Sequence, residues 1–131
     1  MNVSVDIETA LYEKLTTDKY SASAHAIPAT LGETLPHIHV VRTGGSTTDI
    51  VIDTNYVDFD VYAADQAEAM KEASNLCAWV RDLYGQTVGS PCYESEISTL
   101  PYGNPDPRHP NLGRATFKAQ ITIRTKGGFN A

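Results

Sequence analysis

The sequence of 131 residues has only two cysteines, one tryptophan and no hydrophobic run of membrane-spanning length. Two cysteines are too few for the disulfide framework of a small secreted domain or for a structural zinc site. We expect Cys77 to lie on the apolar stripe of a helix and Cys92 in a loop. The first residues show no basic segment followed by an apolar one, so we expect no signal peptide and folding in a reducing cytoplasm.

Positive charge is also scarce, and no two of the 10 lysines and arginines are adjacent. The sequence also has 16 acidic residues, so its formal net charge is −6. A protein that binds nucleic acid tightly usually presents a basic patch that replaces phosphate counterions. The composition therefore disfavours tight DNA or RNA binding, but it is compatible with a protein through which DNA only passes.

The hydrophobic fraction of 41% and the charged fraction of 20% are typical of a folded globular chain, and the length suits one domain. Apolar residues four apart predict a first helix, which Ser4 or Asp6 can cap. The clearest helical period covers residues 64–84. There Asp65 is the expected cap, and Gly85 is the expected stop.

Three segments have the composition and alternation of strands: residues 37–42, residues 48–62 and, described below, residues 114–125. Residues 37–42 are rich in β-branched side chains, and residues 43–46 contain two glycines that predict a tight turn. The next strand is expected over residues 48–62, where Asp58 and Asp60 alternate with apolar side chains. This alternation places the two aspartates on one face of a sheet and the apolar residues on the other.

Prolines and glycines interrupt the chain repeatedly between Pro101 and Gly113, which predicts a long exposed loop before the last strand, residues 114–125. Loops of this length usually carry function or become ordered by a partner. Residues 126–131 are expected to form a flexible tail. Together these elements predict one α+β domain over residues 1–131, a mostly antiparallel sheet with two helices packed on one face.

Few residue patterns indicate chemistry. His37 and His39 could share a metal ion, but no third ligand accompanies them, so we expect exposed strand histidines. Asp58 and Asp60 could act as an acid–base pair, but strand alternation alone produces their spacing, and a solvated sheet face is the simpler interpretation. No serine has the context of a nucleophile elbow. The sequence therefore predicts no catalytic residue, no metal ligand and no cofactor.

Four segments occur in a particular order along nearly the whole chain. They are Val5-Asp6-Ile7-Glu8-Thr9-Ala10, then Val40-Val41-Arg42-Thr43-Gly44-Gly45 with Asp49-Ile50-Val51-Ile52-Asp53, then Ala64-Asp65-Gln66-Ala67-Glu68-Ala69, then Asn104-Pro105-Asp106-Pro107 with Gly113-Arg114-Ala115-Thr116-Phe117. In order and spacing they resemble the tail terminator proteins of siphophages, especially phages of actinobacteria. The stretches 25–35 and 107–111 are longer than the family pattern.

The resemblance implies a structural virion protein without enzymatic activity, made in the host cytoplasm and placed at the head–tail junction. Six copies would form a homo-hexameric ring that caps the tail tube and ends its polymerisation. One ring face would sit on the major tail tube protein and the other on the head-completion (stopper) connector protein. DNA would pass through the central channel without specific binding, and neither a membrane nor a cofactor is implied.

On this analogy, Asp58 and Asp60 are expected to face the channel, where their charges would repel DNA phosphates. Two exposed, irregular segments are expected to contact partners. Their residues are Thr43, Gly44, Gly45 and Ser46 in the turn, and Tyr102, Asn104, Asp106 and Arg108 in the loop. Contacts around the ring would be heterologous, with one patch of each subunit fitting a different patch of its neighbour.

Two alternatives stay open at this point. One is another head–tail connector or minor tail protein with a related fold. The other is a small cytoplasmic ligand-binding domain or enzyme. A gene position just before the major tail protein gene would favour the terminator. A concave pocket holding ionisable side chains with displaced pKa values would favour the enzyme.

Overall fold

The computed structural model describes residues 2–49 and 51–127, which form a two-layer α+β domain as predicted. In chain order the elements are β1 (Asn2–Val3), α1 (Ile7–Thr17), β2 (Ser21–Ala24), a 3₁₀ helix (Leu31–Glu33), β3 (His37–Thr48), β4 (Ile52–Ala63), α2 (Gln66–Arg81), β5 (Cys92–Gly103), β6 (Gly113–Arg124) and β7 (Lys126–Gly127). The main sheet has the strand order β2-β3-β4-β6-β5. Its pairs are antiparallel except for β2 and β3, which run parallel.

Both α-helices lie on the same face of the main sheet. Helix α1 contacts β2 and β3, and α2 contacts β4, β5 and β6. Each begins at the predicted aspartate cap, because Asp6 accepts from the backbone N–H of Thr9 and Asp65 from that of Glu68. Under the helices, Phe59 stacks on Phe117 with ring centroids 4.9 Å apart. Burying each such ring stabilises the fold by roughly 1.5–3 kcal/mol.

The glycine pair of β3 does not form the turn that the sequence predicted. Residues 43–46 lie within the strand, which continues to Thr48 and is followed by Asp49 with a φ of 55°, before β4 begins at Ile52. The pairing with β4 is irregular between Arg42 and Gly44. A Cβ at Gly45 would overlap the carbonyl oxygen of Thr54. The glycine is therefore needed for close approach of two backbones, not for chain reversal.

The long loop before β6 is shorter than predicted, because β5 continues to Gly103. The connection covers residues 104–112 only. Pro101 falls at an irregular step of the β5–β6 pairing, between Thr99 and Tyr102. Proline lacks an N–H to donate, but edge strands and bulges tolerate it, so it did not end this strand.

Two further expectations need correction. Lys126 pairs with Val3, and the next residue pairs with Asn2, so the expected flexible tail is wrong for residues 126–127. The rest of that tail, residues 128–131, lies outside the described residues. Cys92 is buried at the start of β5 and not in a loop, whereas Cys77 is buried on α2 as predicted.

Candidate functional site

The candidate site is the face of the main sheet that carries no α-helix, which we call the open face. Strand alternation puts Asp58 and Asp60 on it, as predicted, opposite the buried Phe59. Both carboxylates have partners. Asp58 accepts from Lys118 Nζ at 3.0 and 3.1 Å, and this hydrogen bond raises the pKa of Lys118. Asp60 accepts from the Thr116 hydroxyl at 2.7 Å.

Two further acidic residues on the open face form no ion pair within the described part of the chain. Glu94 and Glu96 are exposed on β5, and they pair across the ladder with Thr122 and Gln120. The hydrogen bond between the two glutamates, followed by the charge of Glu96, raises the pKa of Glu94. Among the described residues, the negative charge of this face that no ion pair compensates therefore lies on β5 and on Asp60, whose partner Thr116 is neutral. That Asp58 or Asp60 faces a channel stays a prediction.

A buried carboxylate fixes the position of the connection between β5 and β6. Asp106 accepts from the Tyr62 hydroxyl at 2.8 Å and from the Arg108 backbone N–H at 3.0 Å. His109 lies 3.1 Å and Arg114 lies 3.6 Å from the same carboxylate. Burial opposes ionisation of Asp106, but these hydrogen bonds and the Arg114 charge outweigh it and lower its pKa to about 2. Burial also raises the pKa of Tyr62 to about 12.

The four residues expected to contact partners in this loop therefore differ in role. Asn104 donates to the Thr116 hydroxyl at 3.0 Å and, like Asp106, holds the loop in place. Tyr102 belongs to β5 and is 38% exposed. Arg108 is exposed, and no side chain of the described residues binds its guanidinium. Tyr102 and Arg108 thus remain accessible to a partner.

The other predicted contact segment, residues 43–46, is accessible as expected although it is a strand and not a turn. Thr43, Gly45 and Ser46 are exposed, and Gly44 is half-buried. The Thr43 hydroxyl donates to the carbonyl oxygen of Tyr56 at 3.3 Å. The segment extends beyond the part of β3 that β2 covers, so it lies at the edge of the sheet.

The expectation of exposed strand histidines is wrong, since His37 and His39 are 2% and 7% exposed. The two ring nitrogens of His37 lie 2.8 Å from the hydroxyls of Ser21 and Ser23. The Ser23 hydroxyl is also 2.7 Å from His39 Nδ1. Burial lowers the pKa of both histidines. This hydrogen-bonded chain joins β2 to β3, and the described residues contain no cluster of three or more potential metal ligands.

A second polar cluster was not predicted and superficially resembles a catalytic triad. The Thr9 hydroxyl lies 3.1 Å from His25 Nε2, and His25 Nδ1 lies 3.3 Å from Glu8 Oε1. However, the hydroxyl donates its proton to Asp6 at 2.8 Å. It can only accept from His25, which is the reverse of the polarity that activates a nucleophile. The cluster therefore supports the start of α1.

Glu8 has a further structural role that its sequence position did not reveal. One carboxylate oxygen accepts from the backbone N–H of His25 at 3.1 Å, and the other from that of Arg42 at 3.0 Å. Arg42 follows the part of β3 that β2 covers. Glu8 therefore occupies the next position along that sheet edge, where another strand would otherwise bind.

The two largest of four described surface clefts have volumes of about 430 and 440 Å³, within the range of small-ligand sites. The first adjoins Thr9, whose hydroxyl is engaged as described. The second lies between residues 25–29, His39 and the pair Arg108–His109. Its lining has no hydroxyl, thiol or carboxylate side chain, and the hydroxyls nearest to its imidazoles, Ser23 beside His39 and Thr9 beside His25, are the hydrogen-bonded ones described above.

Among the described residues, neither helix has the length and apolar character needed to span a bilayer. Comparison with models of known protein families gave no match, and a search of curated proteins gave none either.

Proposed function

We propose that this protein is a phage tail terminator, a structural subunit that assembles into a hexameric ring on the end of the tail tube. The ring ends tube polymerisation and presents its other face to the head-completion protein. DNA passes through its channel without specific binding. This function gives the protein a place in the virion at the head–tail junction and requires no catalytic residue.

The observation that carries the proposal is the position of the two accessible segments. Residues 43–46 lie towards the hairpin end of the sheet, where Ile52 pairs with Arg124. The 104–112 loop lies at the other end, where Ala63 pairs with Gly113. Twelve residues of β4 separate the ends, which is roughly 36–40 Å of extended chain. In a ring whose strands run along its axis, the hairpin end of the sheet would meet one neighbouring ring and the 104–112 loop the other.

The two layers of the domain also suit this role. Both α-helices cover one face of the sheet, so the exposed part of the open face, away from the buried Tyr62, His37 and His39, is available to line a channel. Asp60, Glu94 and Glu96 would supply its repulsion for DNA phosphates, whereas Asp58 is neutralised by Lys118. This differs from the sequence expectation, in which Asp58 and Asp60 carried that role.

Addition of the purified protein to polymerising tail tube protein tests the proposal. Tubes should stop growing, and electron microscopy should show a ring at one end only. Arg108→Glu should weaken capping, because Arg108 is the exposed charge of the 104–112 loop. Arg81→Glu, an exposed arginine of α2 on the helical side, is the matched control and should cap normally. Tubes that grow unchanged in the presence of the wild-type protein would reject the terminator function.

A further inference from the structure

The two edges of the main sheet are occupied to different extents. On the β3 side, β2 covers residues 37–40 and Glu8 binds the N–H of Arg42. No described strand covers this edge at residues 44–48. On the other side, Cys92 exchanges backbone hydrogen bonds with residues 85 and 86. Beyond Cys92, no strand among the described residues pairs with the outer edge of β5. Unpaired strand edges readily bind another strand.

The outer edge of β5 is regular only over a short stretch. Its pairing with β6 is irregular between Cys92 and Glu94, and again between Ile97 and Tyr102. Residues 94–97 are therefore the part that can accept a regular partner strand. These four residues can pair within the five-residue stretch of β3, residues 44–48.

Charge excludes one way of pairing these edges. If β5 paired with β5 of a second copy, Glu94 and Glu96 would face the same residues of that copy across the joint. Like charges on directly opposed strand positions destabilise pairing. Residues 44–48 (Gly-Gly-Ser-Thr-Thr) carry no charge, and their two glycines put no side chain in the way of an approaching strand.

We propose that residues 94–97 of β5 in one copy pair with residues 44–48 of β3 in the next copy, so that the sheet continues around the ring. The inference rests on the proposed ring and specifies its joint. Within one subunit β5 runs opposite to β3, since each step from β3 through β4 and β6 to β5 is antiparallel. A rotation that preserves strand direction therefore makes the new pair antiparallel as well. Such a contact is heterologous, so rotation can close it into a ring.

Cysteine cross-linking tests this joint in the full-length protein. Two double variants are made, in which Ser46→Cys is combined with Glu94→Cys or with Glu96→Cys. Every copy then carries both cysteines of the proposed joint, and all these positions lie on the open face of the sheet. In at least one of these double variants, oxidation should give a ladder from dimer to hexamer on a non-reducing gel. The three single variants are the controls, and they should stay monomeric. Wild-type protein controls for the buried Cys77 and Cys92.

The other cross-linking outcomes would contradict the proposed pairing of β5 with β3. Dimers from a single Glu94→Cys or Glu96→Cys variant would show that β5 pairs with itself. Absence of a ladder in both double variants would show that these edges do not meet. Light scattering under reducing conditions separates this failure from that of the proposed function. A hexamer without a ladder would reject the joint alone, whereas absence of both, also with tail tube protein present, would reject the ring.

Discussion

Two polar regions of the molecule use their hydrogen-bonding groups in different ways. In the first, which we call the anchored region, Glu8, Asp106 and the buried histidines His37 and His39 all bind partners within the chain. In the second, the outer edge of β5 from residue 93 to 103, the backbone has no strand partner and Glu94 has only Glu96. Polar groups of the first region therefore contribute to folding, and those of the second are available for association.

If this comparison holds, the largest stability effect comes from the anchored carboxylate. Asp106→Asn should lower the free energy of unfolding by about 3 kcal/mol, because it leaves Arg114 and Tyr62 without their charged partner. The pKa of Asp106 is depressed, so its contribution is present above the usual value of 3.8 and is lost as the pH falls through about 2. Urea denaturation at neutral pH measures the effect. Glu13→Gln, on the exposed side of α1, is the control, and an equal effect of both variants would contradict the prediction.

The next effect concerns Glu8 at the covered sheet edge. Glu8→Ala should cost about 1–3 kcal/mol, because two backbone N–H groups lose their acceptor. Glu13→Ala on the same helix should change stability by less than about 0.5 kcal/mol. Chemical denaturation of both variants gives the comparison. If Glu8→Ala is as mild as its control, the edge at Arg42 is not closed by this carboxylate.

A smaller, pH-dependent effect is expected from the buried histidines. The fold lowers the pKa of His37 and His39, so it favours their neutral forms. The unfolded chain, with the usual value of 6.5, binds protons first as the pH falls. Stability should therefore be complete above pH 6.5 and decline below it. Thermal unfolding between pH 7.5 and 5 measures this. The decline should be shallower in His37→Gln, and an unchanged slope would assign it to other groups.

The smallest stability effect is expected at the open edge. Glu94→Gln combined with Glu96→Gln should change the free energy of unfolding by less than about 0.5 kcal/mol. Removal of the like charges should instead permit β5 to pair with β5 of a second copy, which sedimentation would detect as a new dimer. Glu68→Gln with Glu72→Gln, on α2, is the matched control and should leave the association state unchanged. If the β5 variant unfolds readily and forms no dimer, the distinction between the two regions is wrong.

Local patterns predicted the elements that local physics controls. The alternation around Phe59 gave the correct face of β4, and Asp6 and Asp65 gave the starts of both helices. The glycine pair was misread because a turn and a close backbone approach select the same residue. Pro101 was misread because its tolerance depends on β5 being an edge strand, which is a property of the complete sheet.

The candidate site was less predictable, since its contacts join distant segments. The buried His37 and His39 are hydrogen-bonded to serines that lie 14–16 residues earlier in the sequence. Asp106 is fixed by Tyr62, which is 44 residues away along the sequence. No spacing in a single sequence signals such partners. By contrast, the accessibility of residues 43–46 and of Arg108 was predicted correctly, because exposure follows from polar and irregular composition.

The mass of the purified protein in solution, measured by light scattering alone and with tail tube protein, tests the central claim most directly. Six copies of a 14.2 kDa chain give about 85 kDa. We predict this mass for the free protein, or a monomer that forms the ring only on the tube. A monomer or dimer that does not respond to tail tube protein would contradict the assignment as a tail terminator.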